Sequence, residues 1–125
     1  MAGRKQKIGK WGEDIAAKYL QEKGYKILNR NYSTRAGEID IITQIREDGE
    51  TFLVFVEVKT RTTLTYGNPE DAVTERKKEN ILKTINIFLE DNENLDFPWQ
   101  IDVIAVQKLS PENVPNIQHF ENVFT

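Results

Sequence analysis

The 125-residue chain contains no cysteine and a single histidine, His119. Without cysteine there are no disulfides, no thiolate zinc sites and no cysteine nucleophile. One histidine excludes, within one chain, any centre built from two imidazoles. No apolar run approaches the length of a membrane span. The N-terminal stretch Met1-Ala2-Gly3-Arg4-Lys5-Gln6-Lys7 also lacks the apolar segment of a secretory signal. The expected location is the cytoplasm, with no membrane partner. No glycine-rich phosphate loop is present, which removes the common nucleotide-binding readings. An excess of positive charge is missing too. Lys and Arg number 17 against 20 Asp and Glu, for a net charge of −3. Dedicated nucleic-acid coat domains are usually basic, so that class is disfavoured.

Hydrophobic residues make up 38% and charged residues 30% of the chain, as in an ordinary globular protein. The length suits a single domain over residues 1–125. Charge is spread unevenly. Arg4, Lys5, Lys7 and Lys10 cluster at the start, Lys59 and Arg61 follow a hydrophobic segment, and Arg76, Lys77 and Lys78 stand together. Local distribution of this kind matters more to a phosphate-binding cleft than the net sum.

Periodicity predicts a helix over residues 8–23, with Ile8, Trp11, Ile15, Tyr19 and Leu20 on one face and Gly24 as its cap. A basic start does not suit the positive end of a helix dipole, so residues 1–7 are expected to form a flexible lead-in. Strands are expected at residues 25–32, 38–44 and 51–60. The last two join through Glu47-Asp48-Gly49-Glu50, a polar turn with glycine. A polar loop follows over residues 61–72. A second helix should begin after Thr74 as N-cap and run to about residue 90, with Ile81, Leu82, Ile85, Phe88 and Leu89 as its apolar stripe. A fourth strand is expected at residues 100–107 and an irregular tail at residues 108–125. The helix between strands three and four permits a parallel crossover. The expected fold class is α/β, with a mixed central sheet flanked by helices.

The third strand carries the chemistry. Leu53, Phe55, Glu57 and Lys59 fall on one face, and Phe52, Val54, Val56 and Val58 on the other. Apolar residues on both faces mark a central strand. An acid and an amine at its end are costly to bury unless something pairs them. On the second strand Glu38 and Asp40 share a face, and the hairpin can bring that face to Glu57 and Lys59. Spacing leaves two readings open. One is a divalent-metal centre, in which Asp40 and Glu57 hold Mg²⁺ and Lys59 acts on the attacking water, with Glu13 within reach on the first helix. The other is a structural Glu57–Lys59 salt bridge with Asp40 capping or solvated. A serine-hydrolase reading would need His119 as base, but no orienting acid is evident near it in the sequence, so His119 reads as a surface or packing residue. Trp11 and Trp99 can stack on bases, although anchoring a core is the commoner role of tryptophan.

The segments Gly12-Glu13, Ala16-Ala17, Asn31-Tyr32, Gly37-Glu38-Ile39-Asp40, Phe55-Val56-Glu57-Val58-Lys59-Thr60-Arg61, Ala72-Val73-Thr74, Lys77, Asp102-Val103 and Glu121-Asn122-Val123-Phe124, with Leu20 and Gly67, resemble the YraN-like family of uncharacterised bacterial proteins. The resemblance covers nearly the whole chain. That family is assigned to the restriction-endonuclease-like superfamily, related to Holliday-junction resolvases. The resemblance implies an αβββαβ core and a signature of helix Glu, then Asp, then Glu-x-Lys, which falls on Glu13, Asp40, Glu57 and Lys59. It implies Mg²⁺ or Mn²⁺ on Asp40, Glu57 and the Val58 carbonyl, and hydrolysis of phosphodiester bonds in structured or branched DNA. Lys7, Lys10, Arg61, Lys77 and Lys78 are the expected phosphate contacts. Resolvase relatives act as dimers, so a homodimer is an expectation. The alternative is a nucleic-acid-binding or adaptor module that keeps the fold without the turnover.

Overall fold

The computed structural model describes residues 4–61, 74–108 and 114–124, with the side chains of residues 4–7 outside that description. The chain runs through α1 (Arg4–Glu22), β1 (Lys26–Thr34), β2 (Gly37–Glu47), β3 (Glu50–Arg61), α2 (Glu75–Asp91), β4 (Trp99–Gln107) and β5 (Asn116–Phe120). The strands form one sheet in the order β1-β2-β3-β4-β5. β3 and β4 pair in parallel and every other neighbouring pair is antiparallel. The expected αβββαβ order and mixed sheet are present, with β5 added at one edge.

Local chemistry accounts for the element ends. In the β2–β3 turn, Asp48 (φ 50°) and Gly49 (φ 81°) are both left-handed. That is the two-residue hairpin whose twist matches the strands, and Asp-Gly tolerates it. At the end of α1, Gly24 (φ 94°) lets the Tyr25 N–H reach the Leu20 carbonyl at 2.9 Å. This satisfies a carbonyl the helix would leave unpaired. Thr74 caps α2 by accepting from the Lys77 N–H at 3.2 Å.

Two expectations are corrected. α1 begins at Arg4, not at residue 8, so the supposed lead-in is helical from residue 4. Arg, Lys and Gln are good helix formers, and their propensity outweighs a mismatched dipole. The supposed tail contains β5, which pairs antiparallel with β4 from Val103↔Phe120 to Gln107↔Asn116. The expected polar loop after Arg61 lies outside the described residues, as do Gly67, Ala72 and Val73 of the motif set.

β3 is central, as its two apolar faces required. Val54 and Val56 face α1 and pack with Ala16, Ala17, Leu20, Ile41 and Ile104. Leu53 and Phe55 face α2 and pack with Ile42, Ile81, Ile85 and Phe88. α1 and α2 therefore cover opposite faces of the sheet. Trp11 joins the α1-side core, whereas Trp99 is 38% exposed and lies edge-on to Phe55, 5.8 Å between ring centroids. Where α1 crosses β3, Gly12 lies so close to Thr60 that a Cβ at residue 12 would collide with Thr60 Oγ1 and come within 3.0 Å of Thr60 Cβ and Cγ2. Glycine at this position lets the start of α1 lie directly over the end of β3.

Candidate metal centre

The β2–β3 ladder runs from Glu47↔Glu50 to Ile41↔Val56 and stops there. Beyond that point β3 stays paired with β4 through Arg61↔Gln107, while β2 parts from it. A fork opens at the end of the sheet. Its mouth is a cleft of about 500 Å³ lined by residues that include Glu13, Asn31, Glu38, Asp40, Val58, Lys59 and Arg61.

Asp40 bridges the fork. Its Oδ2 accepts the Val58 backbone N–H at 2.8 Å. In an extended residue the N–H and C=O point to the same edge of the strand, so the Val58 carbonyl also faces the fork. Glu57 lies against Asp40, and with both carboxyl groups ionised its Oε1 is buried without a hydrogen-bond donor. Burial, followed by the neighbouring Asp40 charge, pushes the Glu57 carboxyl up to about 9. Burial likewise raises Asp40, against the Val58 N–H bond, which lowers it. Two carboxylates share one half-buried site, so without a cation one of them holds a proton. An orphaned buried carboxylate oxygen next to a second carboxylate and a free-facing carbonyl is a hard-oxygen donor set, which fits Mg²⁺ or Mn²⁺.

The Lys59 amine stands beside this pair. Burial first, then the adjacent Lys77 ammonium, push it down to about 8, with Glu57 acting in the opposite sense. Lys10–Asp14 and Arg30–Asp14 are ion pairs among the described residues. The structural Glu57–Lys59 salt bridge is not among them.

Glu13 and Glu38 form the acidic wall opposite. The Asn31 amide, oriented by this network, donates to Glu13 Oε1 at 2.8 Å and to Glu38 Oε1 at 3.2 Å. Burial and then the Asp40 charge raise the Glu13 carboxyl. Glu38 thus turns to Asn31 and Glu13 instead of joining Asp40 and Glu57.

The family model described as "Uncharacterised protein family UPF0102" matches residues 12–106. The chain belongs to that family. A UPF0102 protein of Geobacter sulfurreducens is 46% identical over 94% of this chain and 88% of its own length. One from Flavobacterium psychrophilum is 42% identical over 94% and 92%, and one from Carboxydothermus hydrogenoformans 39% over 95% and 96%. The motif resemblance is thereby met at the level of an uncharacterised family. The UPF0102 match spans α1 from Gly12 through β4, and so includes every acidic residue of the fork.

The fold brings Glu13, Asp40, Val58, Lys59 and Arg61 to one cleft, with Glu57 against Asp40 and Lys77 against Lys59. It does not bring all the expected phosphate contacts there. Lys10 Nζ pairs with Asp14 at 3.3 Å on the exposed side of α1. Lys78 lies over the Phe124 ring, 4.9 Å from its centroid. The side chain of Lys7 is outside the described residues.

Two features escaped the sequence. One is Asn31, whose only signal was its place in the family motif. The other is the orienting acid for His119. Asp102, fully buried, accepts His119 Nε2–H at 2.7 Å, Gln100 Nε2–H at 2.9 Å and the Asn122 N–H at 2.9 Å. His119 Nδ1 then accepts the Tyr19 hydroxyl at 3.0 Å. Asp102, His119 and Glu121 lie within ligand distance of one another. Both imidazole nitrogens and both Asp102 oxygens already have partners, however, so this is a closed hydrogen-bond network that ties β5 to β4 and α1. No helix among the described residues is long and apolar enough to cross a membrane.

Proposed function

We propose that this protein is a metal-dependent endonuclease of the restriction-endonuclease-like type, hydrolysing phosphodiester bonds in structured or branched DNA. The observation that carries the reading is the buried Glu57 oxygen left without a donor beside Asp40, which itself lines a fork open to solvent. A buried carboxylate pair is expensive to keep and is relieved by a divalent cation. Asp40, Glu57 and the Val58 carbonyl would hold Mg²⁺ or Mn²⁺. When bound, that ion supplies Lewis-acid stabilisation of negative charge on a phosphate oxygen.

The chain's own residues do the rest. The Val58 N–H fixes the Asp40 carboxylate in one orientation. Lys59, with its pKa lowered toward 8, has a neutral fraction near neutral pH and can accept a proton from water at the cleft. Lys77 and Arg61 carry positive charge at the cleft and attract the backbone phosphates. Two cations offset part of the acidic wall, so affinity should fall as salt rises.

The experiment is cleavage of a four-way junction and a flap duplex with Mg²⁺ or Mn²⁺, by the wild type, Asp40→Asn and Lys59→Ala. Metal-dependent nicking by the wild type alone is the expected result. Cleavage that persists in both variants overturns the assignment. Salt-sensitive, metal-independent binding without cleavage moves the protein to the adaptor class.

A further inference from the structure

Asn31 stands out among the residues of the cleft because its backbone is left-handed in the middle of a strand. Its φ is 53°. A non-glycine residue in that region costs on the order of 1 kcal/mol, and asparagine is among the few that tolerate it. The β1–β2 register shifts earlier, between Ile27 and Asn29, and is continuous on either side of Asn31. Arg30 pairs with Ile41 and Tyr32 with Ile39, but Asn31 and Asp40, which face one another between those pairs, do not pair. The departure from β geometry therefore falls beside Asp40, and the Asn31 side chain reaches the cleft.

There its amide nitrogen lies 2.8 Å from Glu13 Oε1 and 3.2 Å from Glu38 Oε1. A primary amide has two N–H donors, so one asparagine satisfies one oxygen of each carboxylate. No third carboxylate comes within 4.8 Å of both Asp40 and Glu57 among the described residues. Four acids therefore gather at one fork in two separate pairs, with Glu13, Glu38 and Asp40 lining the cleft and Glu57 held against Asp40. Asp40 and Glu57 touch each other and have an unsatisfied oxygen, whereas Glu13 and Glu38 are joined through an uncharged donor. In a fork this acidic, Glu13 and Glu38 without that donor would make a second hard-oxygen set next to the first.

We propose that Asn31 is a selectivity residue that holds Glu13 and Glu38 to each other and so limits the fork to one divalent cation, on Asp40 and Glu57. This rests on the metal-centre reading above and deepens it. Asn31 acts as a positioning residue and touches neither the ion nor the substrate. An aspartate at this position would replace both donors with a third acceptor and turn the wall into a ligand set. A glycine would keep the left-handed backbone while removing the amide, leaving both glutamates without their shared donor.

The test is the number of ions bound, counted by calorimetric titration with Mn²⁺ on the whole chain, for the wild type, Asn31→Asp, Asn31→Gly and Asp40→Asn. The wild type should bind one ion, and Asn31→Asp two. Asn31→Gly, whose backbone needs no rearrangement, should also bind two and serves if the aspartate variant fails to fold. A count of one in the Asn31→Gly protein, or of two in the wild type, overturns the proposal. The Asp40→Asn variant separates the two levels. If it keeps the wild-type ion, the Asp40–Glu57 centre is wrong. If it loses that ion while the Asn31 variants stay at one, the centre stands and the role given to Asn31 falls.

Discussion

The Asp40 side chain accepts the Val58 backbone N–H at 2.8 Å, just past the last ladder pair of β2 and β3. A side chain takes over from the backbone at the point where two strands separate. The fork would otherwise leave a strand N–H unpaired in a half-buried place, and that group needs an acceptor. The same contact that closes the ladder holds a carboxylate against Glu57. Sheet geometry and site geometry are one feature here, so changes to either should be read in both stability and metal binding.

Metal-free stability should fall as pH rises from about 5 to about 8. An unfolded glutamate titrates near 4.5, whereas burial and Asp40 push Glu57 up to about 9. Between those values the folded state keeps a proton that the unfolded state has lost, so stability present at low pH is lost as pH climbs. Asp40 and Glu13 are raised as well and act in the same sense. Lys59 titrates at about 8 when folded, at the upper limit of this window. Thermal melts in chelator should show the slope, Glu57→Gln should flatten it, and Mn²⁺ should reverse it. A pH-independent melt would contradict the carboxylate pair.

Gly12→Ala should destabilise the protein by about 1–3 kcal/mol, the usual cost of overpacking. The added Cβ has nowhere to go except into Thr60. Thr60→Ala should recover more than half of that loss in the double variant, since it removes the atoms in the way. Urea unfolding of the four proteins of the cycle measures the coupling. Additive losses would mean that the helix simply moves aside.

Asp102→Ala should cost about 3 kcal/mol, in the range for breaking a buried hydrogen-bonded pair. Three donors, from Gln100, His119 and Asn122, lose their acceptor together. Because this network is separate from the fork, the Mn²⁺ affinity of the folded variant should match the wild type. Weakened Mn²⁺ binding in a fully folded Asp102→Ala protein would refute that separation.

Lys77→Ala should raise the pKa of Lys59 above about 8, because it removes the second-largest cause of the depression and leaves burial as the main one. Lys77→Arg, which keeps the charge, should change it much less. Titration of the Lys59 side chain by NMR reads this directly, with no need for turnover. An unchanged Lys59 in Lys77→Ala would show that the two amines do not interact.

Much of the architecture was legible because its causes are local. The stripe Ile81, Leu82, Ile85, Phe88 and Leu89 lies at helical spacing, and all five pack in the α2-side core. The turn at Asp48-Gly49 and the cap at Thr74 rest on side-chain chemistry within a few residues. β5 was not legible. Its residues alternate only weakly between exposed and half-buried, and the strand exists because β4 offers it an edge. His119 looked idle for the same reason, since its acid lies 17 residues away in sequence.

Residue order alone determined that Glu57 and Lys59 share a face of a central strand and that Asp40 lies near the start of the strand before it. Those statements need only the two-residue period of β structure and one short hairpin. Tertiary structure decided that β2 and β3 part after Ile41↔Val56, that Glu57 meets Asp40 and not Lys59, and that Asn31 joins Glu13 to Glu38. Where a ladder ends depends on twist and on what packs above and below it. The helix that supplies Glu13 and the strand that supplies Asn31 meet at the fork only after the sheet has closed under them.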